Sequence, residues 1–364
     1  MNIKKRYKVN MAALIFLMLL LLATAGCAGK TEADKIHEIS LPNEDIVVMQ
    51  MKFDEKQRLL IAGFERNEDN SAVTASVWRT DDQGESWESL YEKTFHSEKP
   101  GETLVETEVY FTDDGLLMSE VTFTLENISD MSRKMYYVKS FETGDAEEIL
   151  TSINVNSLSD IKFISEEAVY ALDYRSRDFL KINILTEEIE KIELPQIKSI
   201  IYNFYNDTCV HFAYYIEEEY LNEQELQTEN IDSDDAKEIY ENYTAGIRYD
   251  LQKEQVVNAP VMKDFGTYMF IKNDETDYEQ SISLAAAPEE DKYYFLYDEG
   301  LFAFDENGES LLYKDNQWKK RYSELDILYI DDNDVYIQAF EKKGDYRNHL
   351  FKISIGKETA DDYR

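Results

Sequence analysis

The stretch Trp78-Arg79-Thr80-Asp81-Asp82-Gln83-Gly84-Glu85-Ser86-Trp87-Glu88-Ser89-Leu90-Tyr91 reads as a strand, a tight turn and a second strand. The carboxylate of Asp82 is placed to accept backbone N–H groups across the turn, and Gly84 supplies a conformation that is costly for residues with a Cβ. Trp87 then covers the hairpin it has just entered. The same texture extends in both directions. Val47–Phe53 is followed by the turn Asp54–Gln57 and by Arg58–Phe64, and Glu108–Phe111 by Thr112–Gly115 and Leu116–Met118. Later pairs are Asp160–Ile164 with Ala168–Leu172, and Leu325–Ile330 with Val335–Ala339 across Asp331–Asp334. Short β-branched and aromatic runs spaced by acidic and glycine turns predict an all-β domain.

The pairs themselves recur, which favours a β-propeller over a sandwich. Each unit opens on a strand ending in an acidic turn, continues with an aromatic-rich strand, and closes with a hairpin such as Phe179–Ile192 or Gly300–Leu312. A four-stranded unit every 40–50 residues or so marks a propeller blade. The expected blades are 45–95, 103–150, 158–195, 197–260, 279–315 and 323–357, six in number with seven as the alternative. The last unit lacks a fourth strand. Ile36–Leu41 is free to supply it and to close the ring, removing sheet edges that invite aggregation. Helical periodicity is absent from the body of the chain, and strand assignment is weakest over 262–278. Residues 217–243 are polar and strongly acidic and read as an insertion between strands, with a short helix near Asp234–Tyr243.

The turn at Thr80, Asp82, Gly84, Ser86 and Trp87 resembles the Asp-box, or BNR repeat, shared by sialidases and other propellers. The resemblance covers eight residues and implies that the turn joins the third and fourth strands of a blade. In such families the box is structural and lies away from the catalytic face. The sialidase site itself, with its arginine triad, Arg-Ile-Pro segment and Tyr–Glu pair, finds no matching context among the arginines of this chain.

The N-terminus carries Lys4, Lys5, Arg6 and Lys8, followed by an apolar run from Met11 to Ala25. These are the charged and apolar regions of an export signal, the run being shorter than the ~20 residues a spanning helix needs. It ends in Thr24-Ala25-Gly26-Cys27, which resembles the lipobox of bacterial lipoproteins, with Thr24 where a branched apolar residue is usual. The resemblance implies cleavage before Cys27 and a lipid on its thiol. The expected organisation is a signal peptide over 1–26, a lipidated tether over 27–35, a propeller over 36–357 and a polar tail over 358–364. Several acyl chains at one terminus hold a soluble domain on a membrane stably, where one alone is marginal. The expected location is the extracytoplasmic face of the cell membrane.

Composition narrows the partners. The formal charge is −37, and loss of residues 1–26 removes four cations and no acid, giving −41. Such a balance opposes nucleic acid as a partner. With Cys27 acylated, Cys209 is left without an intrachain partner, and its strand-like surroundings make it a buried small hydrophobe. His37, His96, His211 and His349 lack metal-ligand spacing, and no phosphate loop or dinucleotide fingerprint occurs. No cofactor or metal is expected. Asp232–Asp235 and Asp331–Asp334 are oxygen-rich but lack calcium-loop spacing, and the second is an ordinary position for a turn. The 26 tyrosines and 18 phenylalanines are assigned to blade contacts. The function expected is a non-catalytic recognition or scaffolding module for a protein, peptide or glycan. The alternatives are an envelope glycan hydrolase and a sensory or solute-binding subunit of a membrane complex.

Overall fold

The computed structural model describes residues 35–355, apart from 68–69, 100, 113–114, 125–130, 142, 166–167, 174, 177, 195–198, 206–208, 216–243, 276–282, 287–291, 298–299, 332 and 343–346. Cys27, the signal segment and the acidic insertion at 217–243 therefore lie outside the described residues.

Twenty-four strands build six four-stranded antiparallel sheets among the described residues. After β1 (Ile36–Ile39), the first sheet holds β2 (Val47–Phe53), β3 (Leu59–Arg66), β4 (Ala72–Thr80) and β5 (Glu88–His96) in chain order. The second holds β6 (Thr103–Phe111), β7 (Leu116–Thr124), β8 (Met131–Val138) and β9 (Ala146–Ile149). The third and fourth are β10–β13 (158–191) and β14–β17 (199–258), and the fifth is β18–β21 (284–314). Most of these meanders follow from turns too short for anything but antiparallel neighbours, residues 216–243 between Tyr215 and Thr244 being the long exception. The sixth sheet departs from that rule. Its order is β1 (Ile36–Ile39), β24 (Asn348–Ser354), β23 (Asp334–Glu341), β22 (Tyr322–Ile330). The N-terminal strand thus completes the last sheet, and the fold is an all-β propeller.

Packing runs between consecutive sheets. First strands meet their neighbours at β22–β2, β2–β6, β6–β10, β14–β18 and β18–β22. Val77, Phe95, Val109, Leu116 and Met118 join the first and second sheets, and Leu117, Leu158, Val169 and Ile182 the second and third. Tyr170 and Phe179 of the third sheet meet Phe212, Ile247 and Tyr249 of the fourth, with Phe179 edge-on to Phe212 at 5.3 Å. Ile39, Ile46, Val48, Ile61, Tyr336 and Leu350 fill the seam between the sixth and first. Among the described residues, several aromatic side chains thus sit at contacts between sheets.

One element departs from the sequence reading. Helix α1 (Pro260–Glu275) follows β17 where no helical pattern was expected. Pro260 suits a first helical position, since its missing N–H would be unpaired there in any case. The helix packs against β15 (Cys209–Tyr215), β16 (Thr244–Asp250) and β20 (Gly300–Asp305). Gly246 permits the contact, because a Cβ there would lie 2.3 Å from the backbone nitrogen of Lys263 and 2.6 Å from the carbonyl of Ala259. Phe265 is fully buried, stacked on Tyr293 at 5.0 Å and tilted against Phe295 and Phe304. A short helix α2 (Trp318–Arg321) leads into β22.

Candidate functional site

Two places concentrate polar groups that the fold holds in fixed positions. The first is the turn from Thr80 to Trp87. Thr80 Oγ1 donates to Asp82 Oδ1 over 2.7 Å and accepts the Gly84 N–H over 3.0 Å. Asp82 also accepts the N–H of Ser86 at 2.9 Å and its hydroxyl at 2.5 Å. Together these bonds hold the Asp82 carboxyl down at about 2, the Ser86 hydroxyl contributing most. Gln83 and Gly84 have φ of +58° and +91°, so two successive left-handed residues reverse the chain. Trp87 does not stop at its own hairpin: its indole N–H donates to the carbonyl of Ser40 over 2.7 Å.

The second place is the set of first strands. Gln50 Oε1 accepts the Phe111 N–H at 2.8 Å, and Lys52 Nζ donates to the Thr112 carbonyl at 2.7 Å while lying 4.9 Å from the Phe111 ring centre. Glu106 pairs with Arg66 at 2.8 Å. Glu108 accepts from Arg133 at 3.1 Å and from the Ser119 hydroxyl at 3.0 Å, while Arg133 also donates to the carbonyl of Leu158. These groups stitch neighbouring sheets together. Ser283, just before β18, accepts the Ile327 N–H at 2.8 Å and hydrogen-bonds Asp326.

Asp326 stands out chemically. Burial, with the charge of Glu324 two residues earlier, raises its carboxyl to about 6, the bond from Ser283 only partly offsetting them. Regular pairing through this part of β22 puts Glu324 and Asp326 on one face, with Gln338 directly opposite Asp326. A carboxyl raised to about 6 on a first strand is placed to take up and return a proton under ordinary conditions. Sequence reasoning missed it, because one acid among 75 Asp and Glu carries no signal until its burial is known.

The other expected residues fall elsewhere. Cys209 is buried in β15. His211 is fully buried, with Nδ1 3.2 Å from the Tyr293 hydroxyl; burial, aided by the Arg248 charge, pushes its imidazole down to about 3, so it is neutral. Asp331 Oδ1 accepts the N–H groups of Asn333 and Asp334 at 2.8 Å each, the work of a turn residue. Among the described residues no group of three His, Cys, Asp or Glu side chains is arranged to hold a metal ion. No helix among them is long and apolar enough to cross a membrane.

The fold and these contacts define a β-propeller protein. No family model matches the chain, and no curated protein does. Among solved structures it is similar to the virginiamycin B lyase of Staphylococcus aureus, at 10% identity and a TM-score of 0.40, over 88% of this chain and 99% of that one. It is similar also to YCF48 from Cyanidioschyzon merolae, at 10% identity and a TM-score of 0.39, over 89% and 87% of the two chains. An α-L-arabinofuranosidase of Fusarium graminearum aligns at 9% identity and a TM-score of 0.30, over 85% and 76%. Likenesses at this level carry no argument about activity.

Proposed function

We propose that this chain is an extracytoplasmic lipoprotein, held on the membrane by a lipid on Cys27, whose six-bladed propeller is a recognition or scaffolding module. Its ligand is a protein, peptide or glycan of the cell envelope. The observation that carries the reading is the sequence Thr24-Ala25-Gly26-Cys27 behind a basic and apolar leader. The twelve residues from Cys27 to Glu38 reach at most roughly 40 Å when extended, so the acidic domain works close to the bilayer. The test replaces Cys27 with Ser and follows palmitate labelling and membrane fractionation. Loss of both supports the anchor; a labelled, membrane-bound variant overturns it.

Asp326 favours a second reading, a glycan hydrolase in which this carboxyl acts as general acid. Release of reducing ends from envelope polysaccharides, lowered at least about a hundredfold by Asp326→Asn, would decide for it over the recognition module.

A further inference from the structure

We propose that the Thr80–Trp87 turn of the first sheet and His349 of the sixth form a two-part clasp that binds the extended segment Glu38–Ser40. Three successive residues of that segment are recognised in three different ways. The Glu38 carboxylate lies 2.6 Å from His349 Nδ1. Ile39 is 3% exposed and buried in the seam. The Ser40 carbonyl accepts the Trp87 indole N–H at 2.7 Å.

Both halves of the clasp are preset. The His349 ring lies parallel to Phe351 at 5.9 Å and edge-on to Tyr322 at 5.6 Å, which fixes its plane. Its Nε2 stands 3.2 Å from Glu341, and Glu341 is itself paired with Arg321 at 3.3 Å. On the other side, the Asp82 bonds shape the turn so that Gly84 meets the segment backbone to backbone. A Cβ on Gly84 would stand 2.7 Å from both Ile39 Cγ2 and the Ser40 carbonyl oxygen. The chemistry recognised is an extended peptide with an acid, a branched aliphatic residue and an accessible carbonyl in sequence.

The clasp is separate from the ring's inner strands. His349 and Trp87 touch the segment across sequence separations of 311 and 47 residues, whereas the first strands pack on one another without it. The segment belongs to the edge strand of the sixth sheet, at the opposite side from β22, and on this proposal it opens at a lower cost than the blades. Under the lipid-anchor reading, on which only this last step rests, the clasp is where a pull on the tether enters the propeller.

Native-state hydrogen exchange on the full chain tests this, comparing wild type with Trp87→Phe, His349→Phe and the double variant. Each substitution keeps an aromatic ring and deletes the N–H. The expected result is exchange over Glu38–Leu41 about fivefold faster in each single variant, the effect of one net hydrogen bond, with Leu116–Thr124 unchanged. Glu38→Ala, at an exposed position, removes the acceptor itself, should match His349→Phe and guards against a failure to fold. Unchanged rates over Glu38–Leu41, or equal acceleration over Leu116–Thr124, overturn the clasp. A chain that shows the expected pattern without carrying lipid overturns the anchor and supports the clasp.

Discussion

The indole N–H of Trp87 donates to the backbone carbonyl of Ser40 over 2.7 Å, joining the hairpin of the first sheet to the residue that follows the closing strand of the sixth. A tryptophan in such a turn would ordinarily be credited with covering its own hairpin. Here the side chain reaches across the seam. Polar bonds reinforce the same seam further in: Gln338 Oε1 accepts the Val48 N–H at 2.8 Å, and Asn348 Nδ2 donates to the Ile46 carbonyl at 2.8 Å. Ring closure thus rests on directed bonds as well as on the apolar contacts around Ile39 and Leu350.

Gly84→Ala should destabilise the fold by about 1–2 kcal/mol and also loosen the closing segment. The left-handed conformation alone costs a residue with a Cβ about 1–2 kcal/mol, and the new methyl would meet Ile39 and the Ser40 carbonyl at 2.7 Å. Urea unfolding should show a lower midpoint with an unchanged slope. A midpoint within error of wild type would mean that the turn relieves the strain at position 84, and unchanged exchange over Glu38–Leu41 that the closing segment does not lie against it.

Asp82 predicts part of the acid limb of stability. Its folded-state carboxyl is held at about 2, below the 3.8 of an unperturbed aspartate, by Ser86 and Thr80. The contribution is therefore complete above about pH 4 and is lost as the pH falls toward 2. Asp82→Asn should flatten the melting temperature across that window. An undiminished fall in the variant would assign the acid limb to other carboxylates.

Phe265→Ala should cost about 3–5 kcal/mol, because the ring is fully buried and stacked on Tyr293. The loss is local to the joint between the fourth and fifth sheets. Proteolysis of the variant should begin near Pro260–Glu275, and first cleavage in another sheet would show that the helix is not a wedge at this joint.

That helix also shows where sequence reading reaches its limit. The strands were legible because alternation and acidic turns are local properties, and the Thr80–Trp87 turn because its bonds span only a few residues. Val261, Met262, Phe265 and Tyr268 do have helical spacing, but Gly266 and Thr267 lower helix propensity and the aromatics read equally well as strand. Burial against Gly246 and Tyr293 decides the outcome, and neither is near in sequence. The same holds for Gln338 and Val48, which are 290 residues apart, and for Asp326, whose distinguishing feature is its surroundings.

Gln338→Leu preserves volume but leaves the Val48 N–H without its acceptor inside the seam. A buried unpaired donor costs about 1–3 kcal/mol. The Gln338 Nε2 group already lacks a partner, so its removal returns part of that, and a net loss of ~1 kcal/mol is expected. Calorimetric melting would measure it, and a stabilised variant would show that the bond to Val48 contributes nothing to closure.

Asp326 gives a pH dependence of the opposite sign to Asp82. Burial and Glu324 raise its folded-state carboxyl to about 6 from 3.8, so the folded chain holds this proton more tightly than the unfolded chain. Stability from this group is complete below about pH 4, declines as the pH rises to about 6, and stays lower above that. Asparagine can still accept the Ser283 hydroxyl and has no charge to bury. Asp326→Asn should therefore leave stability at pH 4 nearly unchanged and raise it at pH 7 by ~1–2 kcal/mol, after allowance for solvent screening of a half-buried group. Urea midpoints at the two pH values measure the difference. A variant less stable at pH 7 would mean that the ionised carboxylate has a favourable partner in the folded chain and is not under strain there.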